Sequence, residues 1–98
     1  MVSYEVAAQV PGDTAEAFEA YMRRKHIPEI LATGCFQEAR FERSPDGRFR
    51  TCYLAPDQEA LDRYLREHAP AFRADFLAHF PEGCKVAREV WVAVQTFR

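Results

Sequence analysis

The sequence predicts an α+β fold with the element order β-α-β-β-α-β. Three observations support this order: apolar residues alternate with polar ones near the start of the chain, two long segments have helical spacing, and a Pro-Asp-Gly turn separates two strand-like segments. The chain has 98 residues, which is enough for one hydrophobic core. We therefore expect a single domain over residues 1–98.

The first strand and the first helix are predicted from local patterns. Every second position from Val2 is apolar over residues 2–10, which is typical of a strand. Asp13, followed three residues later by Glu16, has the pattern of a capping box and predicts that a helix begins there. Gly34 stands where a residue with left-handed backbone would end that helix.

The second half of the chain predicts a hairpin, a helix and a final strand. Residues 35–43 and 48–55 flank "SPDG", which is typical of a tight turn between antiparallel strands. Asp57 is predicted to cap the second helix, and "VAREVWVAVQTF" predicts a long last strand because it is rich in β-branched and aromatic residues. This order is the split β-α-β arrangement of a ferredoxin-like domain, with both helices on one face of a four-stranded antiparallel sheet.

Each predicted helix contains a His-x-Pro sequence, which ends at Pro28 in the first helix and at Pro70 in the second. A proline inside a helix removes an N–H group and disfavours helical backbone in the residue before it, so we expect a kink or a restart at both positions. Matching the ends of the antiparallel helices places His26 level with residues near 66. We therefore expect the two breaks to face each other at one height above the sheet.

Composition excludes several classes of protein. The net charge is −2, and basic residues are interspersed with acidic ones, so we expect no nucleic-acid partner. No long apolar run and no basic leader are present, and we expect a cytoplasmic protein without a membrane partner. The three cysteines are scattered, which is typical of reduced thiols that serve as small apolar side chains. No motif for a nucleotide, a dinucleotide or a nucleophilic serine occurs, so we expect no cofactor.

His26 and His68 are the candidate catalytic residues. Both fall on the apolar stripes of the predicted helices, and imidazole titrates near neutral pH, which suits general acid–base catalysis. A structural role, in which each histidine donates to backbone carbonyls freed by the prolines, is the interpretation that we favour.

Other charged residues of the second helix and the last strand are assigned surface roles. Asp75 and His79 are four residues apart, which suits a pair on a helix surface, and the sequence supplies no further ligand for a metal site. Arg73 and Arg88 are interpreted as partners of nearby carboxylates.

A sheet covered by helices on one side leaves its other face open. The side chains that we expect to face the helices are those of Val2, Tyr4, Val6, Phe41 and Leu54. The open face then carries the candidate ligand-binding residues Glu5, Glu38, Arg40, Tyr53 and Trp91. Such a mixture of charged and aromatic residues predicts a homodimer interface with paired polar groups, a small-molecule site, or both at once.

The order of elements, the segment "HIPEILATGCF" and the segment "YLREHAPAFRADFLAHF" together resemble a bacterial family with a domain of unknown function. That family is related to the dimeric α/β-barrel superfamily, which includes antibiotic-biosynthesis monooxygenases and stress-responsive barrels. The resemblance covers essentially the whole chain. It implies a homodimer whose two sheets face each other around an internal cavity, and it implies no particular reaction, because members of the superfamily differ in activity.

The sequence therefore predicts a homodimer that binds a small, partly aromatic or acidic molecule between the sheet and the helices. One alternative is a cofactor-free monooxygenase or isomerase, in which His26 or His68 carries a proton and Trp91 or Tyr53 shapes the pocket. A second alternative is a non-catalytic structural or regulatory dimer, whose interior would be filled.

Overall fold

Four strands form one antiparallel sheet in the computed structural model, which describes all 98 residues. The strands are β1 (Val2–Gln9), β2 (Glu38–Arg43), β3 (Phe49–Ala55) and β4 (Lys85–Val92). Their spatial order is β2-β3-β1-β4, so the first strand is central and the last strand is an edge. The predicted ferredoxin-like fold is confirmed. The last strand ends at Val92, however, and the residues after it do not extend the sheet.

The helices lie on one face of this sheet. They are α1 (Ala15–Tyr21), α2 (Ile27–Leu31), α3 (Gln58–Glu67) and α4 (Ala69–His79), and a π-helical segment (Met22–His26) joins the first two. Tyr21, His26 and Ile27 keep right-handed helical angles, so α1, the π-helical segment and α2 form one continuous helical path. None of the helices combines the length and the apolar composition needed to traverse a bilayer.

The helix ends follow the predictions in part. The Asp57 side chain accepts a hydrogen bond from the Ala60 N–H over 2.9 Å, which confirms the predicted cap. Gly34 has a φ of 78°, as expected for a left-handed residue after a helix. The prediction of a capping box at Asp13 is wrong, because α1 begins after Thr14 and no side chain caps it. The Asp13 carboxylate instead accepts from the neighbouring Thr14 hydroxyl.

The two His-x-Pro sequences interrupt the helices in different ways. Before Pro28 the chain widens into the π-helical segment, and the proline occupies the first turn of α2, where its missing N–H costs little. Near Pro70 the helix stops and restarts, since His68 has φ −120° and ψ −40° and α4 begins at Ala69. One proline is therefore absorbed within a continuous helical path, and the other separates two helices.

The two interruptions do not lie at one height, and that expectation is wrong. The His26 ring centroid lies 5.9 Å from that of Phe72, which is a full turn beyond His68 along the chain. The cause is an offset between the helices: Phe80, at the end of α4, packs on Phe18, with 5.9 Å between the ring centroids, and not beside the first residues of α1.

The core between sheet and helices is mostly aromatic. One cluster contains Tyr4, Phe36, Tyr53 and Tyr64, and a second contains Phe18, Tyr21, Phe49 and Phe80. The ring centroids of Phe18 and Phe49 are 5.0 Å apart, and those of Phe36 and Tyr64 are 4.9 Å apart, within the range of favourable aromatic pairs. Helix and sheet are therefore joined largely by ring contacts.

Tyr53 and Leu54 occupy the opposite faces from those predicted. Tyr53 lies directly across from Tyr4 in the β1–β3 pair, so it shares the helix-facing side and is only 2% exposed. Leu54 lies across from Ser3 and from Glu38 on the open face. Because side chains alternate with a period of two, an error of one residue in the register of β3 moved both of them.

Candidate functional site

A cavity of about 50 Å³ lies between the sheet and the helices. Twelve of its sixteen lining residues are hydrophobic, and the other four are His26, Thr51, Arg73 and Arg88. Since one water takes up about 30 Å³ in the liquid, the space would hold one or two waters. An apolar lining with a few polar groups is typical of small-molecule sites.

Aromatic packing holds His26 at the cavity wall. His26 is the last residue of the π-helical segment, and its ring centroid lies 5.3 Å from that of Tyr21 and 6.1 Å from that of Phe76. The first neighbour lies on α1 and the second on α4, so both helices fix the imidazole.

Hydrogen bonding determines which nitrogen of His26 carries the proton. The Tyr21 hydroxyl lies 2.6 Å from Asp75 Oδ2 and 3.2 Å from His26 Nδ1. A phenol has one hydrogen, and the short bond to the carboxylate is the stronger of the two, so Tyr21 donates to Asp75. His26 must then donate from Nδ1 to the Tyr21 oxygen. In a neutral imidazole Nε2 is therefore an acceptor, and no protein group donates to it.

Burial keeps His26 uncharged. It lowers the pKa of His26 to about 4, and the positive charges of Lys25 and Arg88 act in the same direction. The negative charges of Asp75 and Glu29 oppose this effect but do not overcome it. His26 is therefore neutral at physiological pH, where its Nε2 is free to accept a hydrogen bond and the ring is a weak base.

Asp75 stays ionised beside this histidine. Hydrogen bonds from Tyr21 and from Lys25, whose Nζ lies 3.0 Å from Asp75 Oδ2, hold the pKa of Asp75 below its ordinary value. Burial, and then the bond to Asp75, raise the pKa of the Tyr21 hydroxyl, so that it remains protonated. The direction of the Tyr21–Asp75 hydrogen bond is thus preserved over the whole physiological pH range.

Two arginines line the cavity at its exposed side. Arg73 lies on α4 and donates from Nη2 to the Tyr4 hydroxyl over 3.3 Å, while Arg88 lies on β4 opposite Val6. Neither forms a salt bridge, so the interpretation of both as partners of carboxylates is wrong. Burial raises the pKa of Tyr64, which lines the same cavity, and the positive charges of both arginines oppose that rise.

The predicted catalytic histidines are not brought together. His68 does not line the cavity, and its ring stacks on Tyr64 with 6.4 Å between the centroids. Tyr53, which was expected on the open face, lines the cavity together with His26. Catalytic and ligand-binding roles for these residues remain predictions.

The other predicted ligand-binding residues do lie on the open face, but they do not converge. Glu38 and Trp91 occupy one row at opposite edges of the sheet, three strand spacings or about 14 Å apart. Glu5 and Arg40 share the next row, two strand spacings apart and with Cys52 between them. This arrangement suits an extended surface better than a compact pocket.

Arg50 was not among the predicted ligand-binding residues, but it lies between the acidic side chains of the open face and pairs with two of them. Its Nη2 lies 2.8 Å from Glu42 Oε1, and its Nη1 lies 3.8 Å from Glu5 Oε1. The signal was present in the sequence, because pairing the strands on either side of "SPDG" places Arg50 opposite Glu42. Glu42 also pairs with Arg40, with 3.7 Å between the charged atoms.

The surface role of Asp75 and His79 is confirmed in part. His79 Nδ1 lies 2.9 Å from the Asp75 backbone oxygen and 3.7 Å from its carboxylate. Asp75 also accepts from Tyr21, however, a contact between residues 54 positions apart that the sequence did not indicate. No group of three or more histidine, cysteine, aspartate or glutamate side chains is arranged to hold a metal ion.

We expect His26 to make stability depend on pH below about 6.5. The folded pKa of about 4 lies below the ordinary value of 6.5, so acidification protonates the unfolded chain first. The stabilisation from the neutral imidazole is complete above pH 6.5. It is lost as the pH falls through about 4, and the free energy of unfolding then decreases by roughly 3 kcal/mol in total. Urea unfolding at several pH values measures this slope.

The matched variants for this measurement are His26→Phe and His79→Gln. His26→Phe should flatten the slope between about pH 6.5 and pH 4.5, because no buried imidazole remains to be protonated. His79→Gln should change the slope less than His26→Phe does, since the His79 side chain is 44% exposed. A slope that persists unchanged in His26→Phe would contradict the buried, neutral imidazole.

Comparison with solved structures shows the same fold in several proteins of low sequence identity. SnoaB, described as a cofactor-independent oxygenase from Streptomyces nogalater, has a TM-score of 0.77 and 20% identity over 97% of this chain and 94% of its own. A protein described as an antibiotic biosynthesis monooxygenase has a TM-score of 0.67 and 16% identity over 97% of this chain and 100% of its own. A dimeric ferredoxin-like protein from an uncultured marine organism has a TM-score of 0.69 and 15% identity over 98% of this chain and 96% of its own.

The sequence comparisons identify a family whose description states no activity. No curated protein matches the chain significantly. The profile of the family described as "Domain of unknown function (DUF4286)" matches residues 1–94. The protein therefore belongs to the DUF4286 family, within a fold shared with antibiotic biosynthesis monooxygenases.

Proposed function

We propose that the protein is a homodimer and that each subunit binds a small aromatic molecule in the cavity between its sheet and its helices. The observation that carries this proposal is the neutral His26, which lines a mostly apolar cavity and whose Nε2 receives no hydrogen bond from the protein. A ligand with an aromatic ring and a hydroxyl group would complement both features.

The geometry favours a hydroxyl donor over a positively charged one. Phe72 and Phe76 line the cavity beside His26, so a ring would pack on other rings there. Arg88 also lines the cavity and would repel a cation. The internal space of about 50 Å³ is smaller than the roughly 150 Å³ of a cavity that binds benzene, so even a single ring would extend toward the exposed side, where the two arginines lie.

The open face supports the dimeric part of the proposal. The Trp91 side chain is 59% exposed there, at the edge of a face whose centre carries the charges of Arg50 and Glu5. An exposed tryptophan beside paired charges is typical of a protein interface. The solved neighbour described as a dimeric ferredoxin-like protein is consistent with this arrangement.

A cofactor-free oxygenase is the second candidate function, because SnoaB, which shares the fold, is described as a cofactor-independent oxygenase. His26 would accept the proton of an acidic hydroxyl in the substrate. Its pKa of about 4 makes it a weak base, which is why binding stands first. An oxygen electrode separates the two functions: an oxygenase would consume O₂ in the presence of a bound phenol or hydroquinone, and a binding protein would not.

We expect phenol to bind in the cavity and toluene, which has the same shape, to bind more weakly. Only phenol can donate to His26 Nε2. His26→Phe should weaken phenol binding about fivefold to tenfold, as expected for one hydrogen bond, and should change toluene binding little. NMR titration of the protein with each compound measures the affinities.

His68→Gln is the matched control, because His68 lies outside the cavity and this variant should bind phenol like the wild type. Two results would contradict the proposed site: failure of both compounds to bind, and equal phenol affinity in wild type and His26→Phe.

We expect Trp91→Glu to weaken the dimer by at least about tenfold in its dissociation constant, since an exposed aromatic anchor would be replaced by a charge. Leu77→Glu is the control, because Leu77 is similarly exposed, at 58%, but lies on α4 and away from the sheet. Analytical ultracentrifugation over a range of concentrations measures both variants. A wild-type protein that is monomeric at high micromolar concentration would disprove the dimer.

A further inference from the structure

The exposed side of the cavity carries two guanidinium groups from different elements, Arg73 on α4 and Arg88 on β4. We propose that the ligand is an aromatic carboxylate, whose ring lies in the cavity and whose carboxylate is bound between Arg73 and Arg88. This inference rests on the proposed function, because it takes the cavity to be the binding site.

Arg73 is directed to the cavity by a buried tyrosine. Its Nη2 donates to the hydroxyl of Tyr4, which is 5% exposed and also lines the cavity. Because this hydroxyl accepts from Arg73, its own hydrogen is available, and no protein acceptor takes it. A ligand oxygen at this position would meet two donors, the guanidinium and the phenol.

Arg88 approaches the same region from the sheet. It lies across from Val6 on β1, so its side chain is on the helix-facing side of β4, although β4 is an edge strand that leaves it exposed. Tyr64, on α3, lines the same cavity as Arg73 and Arg88. The two positive charges therefore reach one cavity, Arg73 from the helices and Arg88 from the sheet.

Arg73 and Arg88 have no carboxylate partner, and they are the two arginines that line the cavity. The other arginines without a salt bridge, Arg23, Arg24, Arg63 and Arg98, do not line it. The arginines that form salt bridges are Arg40, Arg43, Arg48, Arg50 and Arg66. The chain has 15 acidic residues, yet none lies within salt-bridge distance of Arg73 or Arg88. Two like charges that line one cavity without a counter-charge favour an anion from outside the chain.

A carboxylate fits this region better than a neutral polar group. The planar guanidinium fork binds the two oxygens of a carboxylate in parallel, and such charge-assisted bonds are stronger than neutral ones. The inner cavity is apolar and His26 is neutral, so the charge of the ligand would stay at the arginine side while its ring enters between Phe72 and Phe76.

NMR titration of the full chain with benzoate and with benzamide, its uncharged analogue, tests this inference. We expect benzoate to bind at least about tenfold more tightly than benzamide. Arg73→Gln and Arg88→Gln should each weaken benzoate binding about tenfold and reduce the preference for benzoate over benzamide. Lys85→Gln is the matched control, because it removes one positive charge from the opposite face of the same strand and should have little effect.

The outcomes separate this inference from the proposed function. If phenol binds but benzoate binds no more tightly than benzamide, the inference of a carboxylate site is wrong, and the proposal that the cavity binds aromatic molecules is retained. If Lys85→Gln weakens benzoate as much as Arg88→Gln does, the attraction comes from overall charge, and the inference is overturned. Tighter binding of phenyl phosphate than of benzoate would also overturn it in favour of a phosphate ester. If neither phenol nor benzoate binds, the proposed function fails as well.

Discussion

The Tyr21 hydroxyl carries a single hydrogen and donates it to the Asp75 carboxylate over 2.6 Å. This bond ties α1 to α4, and Lys25 adds an ion pair to the same carboxylate oxygen. It also determines the chemistry of the cavity, because His26 has to donate to the Tyr21 oxygen from Nδ1 and so presents Nε2 as an acceptor. The position of α4 and the state of the imidazole therefore depend on one contact.

Aromatic packing explains why this contact lies where it does. Phe80 packs on Phe18 at the end of α4, which sets the offset between α4 and α1 and brings Asp75 to Tyr21. These helices also bury His26, and the cost of charging a buried imidazole exceeds the attraction of nearby carboxylates. The two faces of the sheet thus differ in character: one covers a mostly apolar cavity with two arginines at its exposed side, and the other exposes a network of paired charges.

The fold was predictable because its signals are local. Alternation in the strands, the Asp57 cap and Gly34 each required only a few consecutive residues, and the structure confirms all three. The register of β3 was not predictable from alternation, because Tyr53, Leu54 and Ala55 are all apolar and either face could have been the core. At Asp13 the capping pattern matched in sequence, but α1 begins one residue later.

The site was less predictable because it depends on long-range packing. His26 could be selected from its place on an apolar stripe. The Tyr21–Asp75 contact could not, because it joins residues 54 positions apart and depends on the offset between the helices. Matching the helix ends from sequence alone produced an offset that was wrong by a turn or more. Arg73 and Arg88 come from separate elements and meet only in the folded chain. Arg50 is the exception, since pairing the hairpin strands would have shown its contact with Glu42.

The measurement that tests the central claim most directly is ¹⁵N NMR of the His26 imidazole, assigned by comparison with His26→Phe. The account predicts a neutral ring from about pH 8 to about pH 5, with a protonated Nδ1 and an unprotonated Nε2, because its pKa is held near 4. A ring protonated at Nε2, or one that titrates near its ordinary pKa of 6.5, would contradict it.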